Sequence, residues 1–93
     1  MSEPANNTTT TPADPTLAAV KSALNIGGTY QDPALQEYID EVKLYLRGAG
    51  VKPAQMSNGL ITRGVADLWN YGSGGGKLSD YFKMRAAQAA LLS

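Results

Sequence analysis

Two stretches of this chain hold the residue types best suited to chemistry. One is Gly74-Gly75-Gly76-Lys77-Leu78-Ser79, and the other is the acidic trio Glu37, Asp40 and Glu41. Glycines leading into a lysine and a hydroxyl residue are how backbone N–H groups and an ammonium cradle a phosphate. That cradle requires a glycine five residues before the Gly-Lys pair and Ser or Thr directly after the lysine, positions held here by Tyr71 and Leu78. No strand pattern precedes the run, so it reads as a flexible connector, Ser73 to Gly76, and not as a nucleotide site. Glu37 and Glu41 stand one helical turn apart with Asp40 beside them, and paired carboxylates do acid–base work or hold hard cations. Here they have no His, no nucleophile and no glycine-rich acidic loop for company. A solvated helix face or a contact with another subunit is what remains for them. Catalysis needs a nucleophile, a base and an electrophile in one cleft. No such set assembles, so the chain reads as a non-enzyme with no cofactor and no metal site.

Composition narrows the rest. The 93 residues balance eight Lys+Arg against eight Asp+Glu, for a formal net charge of zero. Affinity built on phosphate neutralisation usually shows a basic excess, so nucleic-acid binding gains no support from charge. The first fifteen residues, MSEPANNTTTTPADP, contain no large apolar residue after Met1. They cannot bury enough surface to offset their ordering entropy and read as a disordered tail. They lack the positive n-region and apolar h-region of a secretory signal. No run approaches the roughly 18 apolar residues of a membrane span, so no membrane partner is expected. Residues 16–93 then form one domain, of a size where a lone core supplies only ~3–5 kcal/mol. With no Cys and no His, disulfides and zinc are closed as staples, and association with partners is the route left.

The elements that position these residues read as four helices. Asp14 and Pro15 form a cap and a first helical position, Leu17, Val20 and Leu24 recur at helical spacing, and Gly27-Gly28 ends the element. Asp32-Pro33 repeats the start signal. Leu35, Tyr38, Ile39, Val42, Tyr45 and Leu46 then make an apolar stripe, and Gly48 and Gly50 stop it. Acids lie toward the N-terminal end of this second helix, while Lys43 and Arg47 lie toward its C-terminal end, an order that complements the helix dipole. Val51 to Ser57 connects to a third helix capped by Asn58, with Ile61, Val65, Leu68 and Trp69 inward and Arg63 and Asp67 paired on the other face. Gly64 within it marks a close helix–helix approach. Tyr71-Gly72 ends that helix, and Ser79 caps the fourth.

The fourth helix is apolar on two sides. Phe82, Ala86 and Ala89 form one stripe, while Met84, Ala87 and Leu91 form another about half a turn away. In so small a domain the second stripe is surplus to the core and suits a neighbour, especially beside Lys83 and Arg85. On helix 2, Leu44 points into the charged side with Glu37, Glu41 and Arg47, either as an ordinary exposed leucine or as a subunit contact. Trp69 and the tyrosines fall on helical stripes and read as core, not as stacking platforms for bases. The fold class is all-α, a small bundle of about four helices behind a disordered N-terminal tail.

With the helices placed, the pattern resembles the small head–tail connector proteins of long-tailed bacteriophages, also called adaptor or head-completion proteins. The matching residues begin with Val20-Lys21-Ser22-Ala23-Leu24-Asn25-Ile26 and continue with Asp32, Leu35, Ile39, Val42 and Leu46 leading to Ala49-Gly50-Val51. Helix 3 then closes on Trp69-Asn70-Tyr71-Gly72, and the last helix runs from Tyr81-Phe82 to Leu91-Leu92. The resemblance covers Leu17 to Leu92. It implies a structural virion protein that forms a ring with copies of itself, expected to be a dodecamer. That ring would dock under the portal protein and present a platform to a stopper or tail-completion protein, with DNA passing through the lumen without specific binding. It would reside in the virion neck, and in the host cytoplasm during assembly. Family members hold the portal with their C-terminal segment, which places portal contacts at Lys83, Met84, Arg85, Ala87, Leu91 and Leu92. Subunit contacts are expected at Glu37, Glu41, Leu44 and Arg47. The alternative is a small helical nucleic-acid-binding protein, a phage regulator or small packaging subunit, using helices 3 and 4 as a helix-turn-helix.

Overall fold

The computed structural model describes residues 15–72 and 74–93. Asp14 and the rest of the expected tail lie outside the described residues, whereas Pro15 is the first residue of a helix. The described chain runs through α1 (Pro15–Ala23), α2 (Asp32–Gly48), a 3-10 turn (Pro53–Gln55), α3 (Asn58–Trp69), a second 3-10 turn (Asn70–Gly72) and α4 (Asp80–Leu91). The described residues contain no strand, so the expected all-α bundle of four helices is the fold.

The core follows from the helical stripes. Leu35, Ile39, Val42 and Leu46 of α2 are wholly buried, and burying each side chain of this kind is worth about 1.5–3 kcal/mol. They pack with Leu17 and Val20 of α1, with Leu60, Ile61, Val65 and Leu68 of α3, and with Phe82 and Ala86 of α4. α3 is the central element and touches each of the other three helices. Gly64 lets it sit that close. A Cβ there would lie 2.8 Å from Phe82 Cε1 and 2.9 Å from both Val42 methyl carbons. The approach expected at this glycine is a three-helix contact, with α2 and α4 meeting over it.

Several starts and stops differ from the sequence expectation. α1 ends at Ala23, before the glycine pair, because Asn25 takes the left-handed conformation at φ 59°. The Ile26 N–H then reaches back to the Lys21 carbonyl at 2.8 Å, a Schellman closure. Asp32 does not cap α2. Gln31 holds the cap position with no side-chain bond, and Asp32 Oδ1 instead lies 2.7 Å from Lys21 Nζ. The same ammonium donates to the Gly28 carbonyl, so one lysine ties α1 to the turn and to the start of α2. Ser57, not Asn58, caps α3, its Oγ accepting from the Leu60 N–H at 3.1 Å. Gly50 performs its expected stop at φ 96°, with the Val51 N–H bonded to the Leu46 carbonyl and the Val51 side chain buried in the core.

The segment before α4 is held in place more firmly than a glycine connector suggests. Gly74 N–H donates to the Trp69 carbonyl at 3.1 Å and Gly76 N–H to the Leu68 carbonyl at 3.4 Å. A Cβ on Gly76 would collide with the Asp67 carbonyl oxygen, so this glycine is required by space. Asp67 Oδ2 then accepts from the Ser79 N–H at 3.0 Å, and Ser79 Oγ caps α4 through the Phe82 N–H at 3.1 Å. The carboxylate expected to pair with Arg63 is used to set the start of α4.

Candidate functional site

Three surfaces gather the residues singled out by sequence. The first is the outer side of α4. Residues 100° apart on a helix place Met84, Ala87 and Leu91 opposite Phe82 and Ala86. Phe82 and Ala86 are buried; Met84 is half exposed, and Leu91 and Leu92 are 87% and 73% exposed. Lys83 and Ala87 are also exposed. The helix is therefore apolar on both sides, with only one side used by the described core. Ala89 and Ala90 pack against that core, and the end of the helix is fastened by Ser93. The Ser93 hydroxyl donates to the Ala89 carbonyl at 3.1 Å, and its oxygen accepts from the Lys52 N–H at 3.0 Å. The six residues grouped at this end do not share one face. Arg85 bonds to Tyr81 and borders a notch shared with α3, and Leu92 stands beyond the last helical residue.

The second surface is the outward ridge of α2. Glu37, Glu41 and Leu44 fall within one stripe opposite Ile39, while Arg47 lies nearer the Asp40 flank. All of these are exposed, Leu44 to 65%. Asp40 accepts from the Gln36 side chain at 3.0 Å. Neither Glu37 nor Glu41 lies within ion-pair distance of a cation among the described residues.

The third surface was not visible in sequence. Arg63 of α3 and Arg85 of α4 converge on the exposed ring of Tyr81. Their guanidinium carbons lie 5.0 and 6.0 Å from its centroid, and Arg85 Nη1 donates to the Tyr81 hydroxyl at 3.1 Å. They border a notch of about 240 Å³ whose other walls are Ser57, Gly59 and Leu60. Cation–π contacts at exposed sites are worth about 0.5–1 kcal/mol and hold a guanidinium in place without neutralising it. The Tyr81–Arg85 spacing of i, i+4 was readable, but the approach of Arg63 needs the packing of α3 on α4. Tyr81 thus leaves the core group expected for the tyrosines, as does Tyr30, which is 91% exposed. Tyr38 and Tyr45 keep to that group, set edge-on to Trp69 and tilted against Phe82.

A larger cleft of about 830 Å³ separates the end of α1 from α3 and the glycine segment, with Arg63, Asp67, Trp69 and Lys77 among its walls. Leu78 packs on the core beside it. The Gly-Gly-Gly-Lys run therefore serves as the lead-in to α4, not as the turn after a strand. Among the described residues no group of three or more His, Cys, Asp or Glu is placed to hold a metal ion, and no helix is long and apolar enough to cross a membrane. Compared with protein-family models, with curated proteins and with solved structures, the chain returns no match.

Proposed function

We propose that this chain is a structural subunit of a ring adaptor between a phage portal vertex and its tail or stopper, acting by shape and contact. The observation that carries this reading is the unused apolar side of α4. Phe82 and Ala86 complete the core, so Met84 and Leu91 are surplus to folding and suit the inner part of an interface. Lys83 beside them is a rim charge that would set orientation. The resemblance of the helix order and its stops to head–tail connector proteins supports the same reading, with the portal held by the C-terminal half of α4. DNA in such a ring would meet walls of mixed sign, in keeping with a net charge of zero.

Co-expression with the portal protein encoded in the same genome tests this directly. The expected result is a complex that survives gel filtration and shows an added ring on the portal by electron microscopy. The doubly substituted Leu91→Lys, Leu92→Lys chain should lose the complex while keeping its helical circular dichroism. Portal rings that recover no wild-type chain would overturn the reading.

A further inference from the structure

The notch between α3 and α4 is bordered by two arginines, Arg63 and Arg85. Two guanidiniums face one tyrosine ring, and neither has a carboxylate partner among the described residues. A guanidinium presents a planar fork that matches a carboxylate in two parallel hydrogen bonds, which an ammonium does not. Holding two such forks at one ring pre-orders them and reduces the side-chain entropy lost on binding. The same chain carries the complement. Glu37 and Glu41 stand i, i+4 on the outer ridge of α2, about 5–6 Å apart at Cβ, and both are exposed and unpaired. No residue of α2 borders the notch, and neither glutamate pairs with Arg63 or Arg85 within the copy.

We infer that the Arg63–Tyr81–Arg85 notch of one copy binds Glu37 and Glu41 of the next. Leu44, one turn beyond Glu41, gives the ridge an apolar end that covers part of the contact. Because donor and acceptor patches differ, the contact is head-to-tail, the type that propagates around a ring, and not the self-complementary type of a two-fold dimer. Charge favours this occupant over a nucleic-acid backbone. Each patch carries two uncompensated charges of opposite sign in a chain whose net charge is zero, whereas phosphate tracking calls for a broader basic stripe. The contact rests on the ring reading for its setting, but it is a property of the chain alone.

Sedimentation velocity on the full chain without portal tests it, so failure here and failure of portal binding are separate results. Wild type should associate with rising concentration and dissociate when salt is raised from about 0.05 to about 0.5 M. Arg63→Glu with Arg85→Glu, and separately Glu37→Arg with Glu41→Arg, should each weaken association at least about tenfold with circular dichroism unchanged. Mixing the two variants should restore association, because each then offers the surface the other has reversed, and this restoration also rules out misfolding as the cause. Lys52→Glu, an exposed reversal elsewhere, should leave association at the wild-type level. A wild type that stays monomeric up to about 1 mM overturns the proposal, as does a mixture that fails to recover or a Lys52→Glu chain equally impaired. Duplex binding by wild type that is lost in the arginine variant, without self-association, overturns it as well and gives the notch to phosphates.

Discussion

Gly64 shows how much one missing methyl group decides in this molecule. Its Cα faces Val42 and Phe82 at a separation that leaves no room for a Cβ. Gly64→Ala would gain up to about 1 kcal/mol of helix propensity, and that gain is outweighed by the overpacking of a stiff valine and a buried ring, about 1–3 kcal/mol. A net loss of up to about 2 kcal/mol in urea unfolding is the expected outcome, and a stabilised variant would show that the bundle can spread. Gly76→Ala should be worse, since the atom it meets is a backbone carbonyl that cannot rotate aside. The hydroxyl caps act on a smaller scale. Ser57→Ala and Ser79→Ala each remove one side-chain bond to a helix N-terminus and should cost about 1 kcal/mol apiece, read as a lowered thermal midpoint. What the sequence left unread at this scale was which residue plays which part. Asp32 has the type of a cap but is occupied by Lys21, and Asp67 has the spacing of a partner for Arg63 but is occupied by the Ser79 N–H. In both cases a tertiary contact outweighs the local motif, and nothing in the local sequence announces it.

At the level of elements, periodicity was a good guide because each helix buries a stripe, and the stripes of α2 and α3 are strong. Their inward residues are those the spacing singles out, joined by Leu60 and Gly64. Ends were less legible, because the residue in the left-handed conformation can be Asn25 or Asn70 where glycines stand close by. The Arg63–Tyr81–Arg85 notch lay beyond sequence reading for a related reason: it joins two helices whose mutual placement is decided by Gly64 and the lead-in to α4. That placement also changes what a truncation would report. Ala89 and Ala90 pack on the core and Ser93 is tied to Lys52, so removing the last five residues disturbs the bundle as well as any docking face. Substitutions on the outer face are the cleaner probe. Met84→Lys should leave the unfolding free energy within about 0.5 kcal/mol of wild type, since that side chain projects away from the packed side. A larger loss would mean that Met84 is buried in a self-associated form even without portal.

For the molecule as a whole, the described core is small and has no cysteine to staple it by a disulfide, so its stability should depend on its own concentration if copies associate. A thermal midpoint that rises with protein concentration is the expected observation, and one that is constant over a hundredfold range would argue for a self-sufficient monomer. α4 has a distinct standing within that whole. It contributes one large buried side chain, Phe82, yet it is fastened at both extremities: Ser79 and Gly76 hold its start to the end of α3, and Ser93 holds its finish to Lys52. A helix with so little buried surface ordinarily frays residue by residue from its ends. Clasped this way, α4 should instead open as a single cooperative unit, and native-state amide exchange would register its protons leaving together, ahead of those in α2 and α3. The Phe82 ring would leave the space over Gly64 in that same event, so the opening of α4 would also uncover the point where α2, α3 and α4 meet.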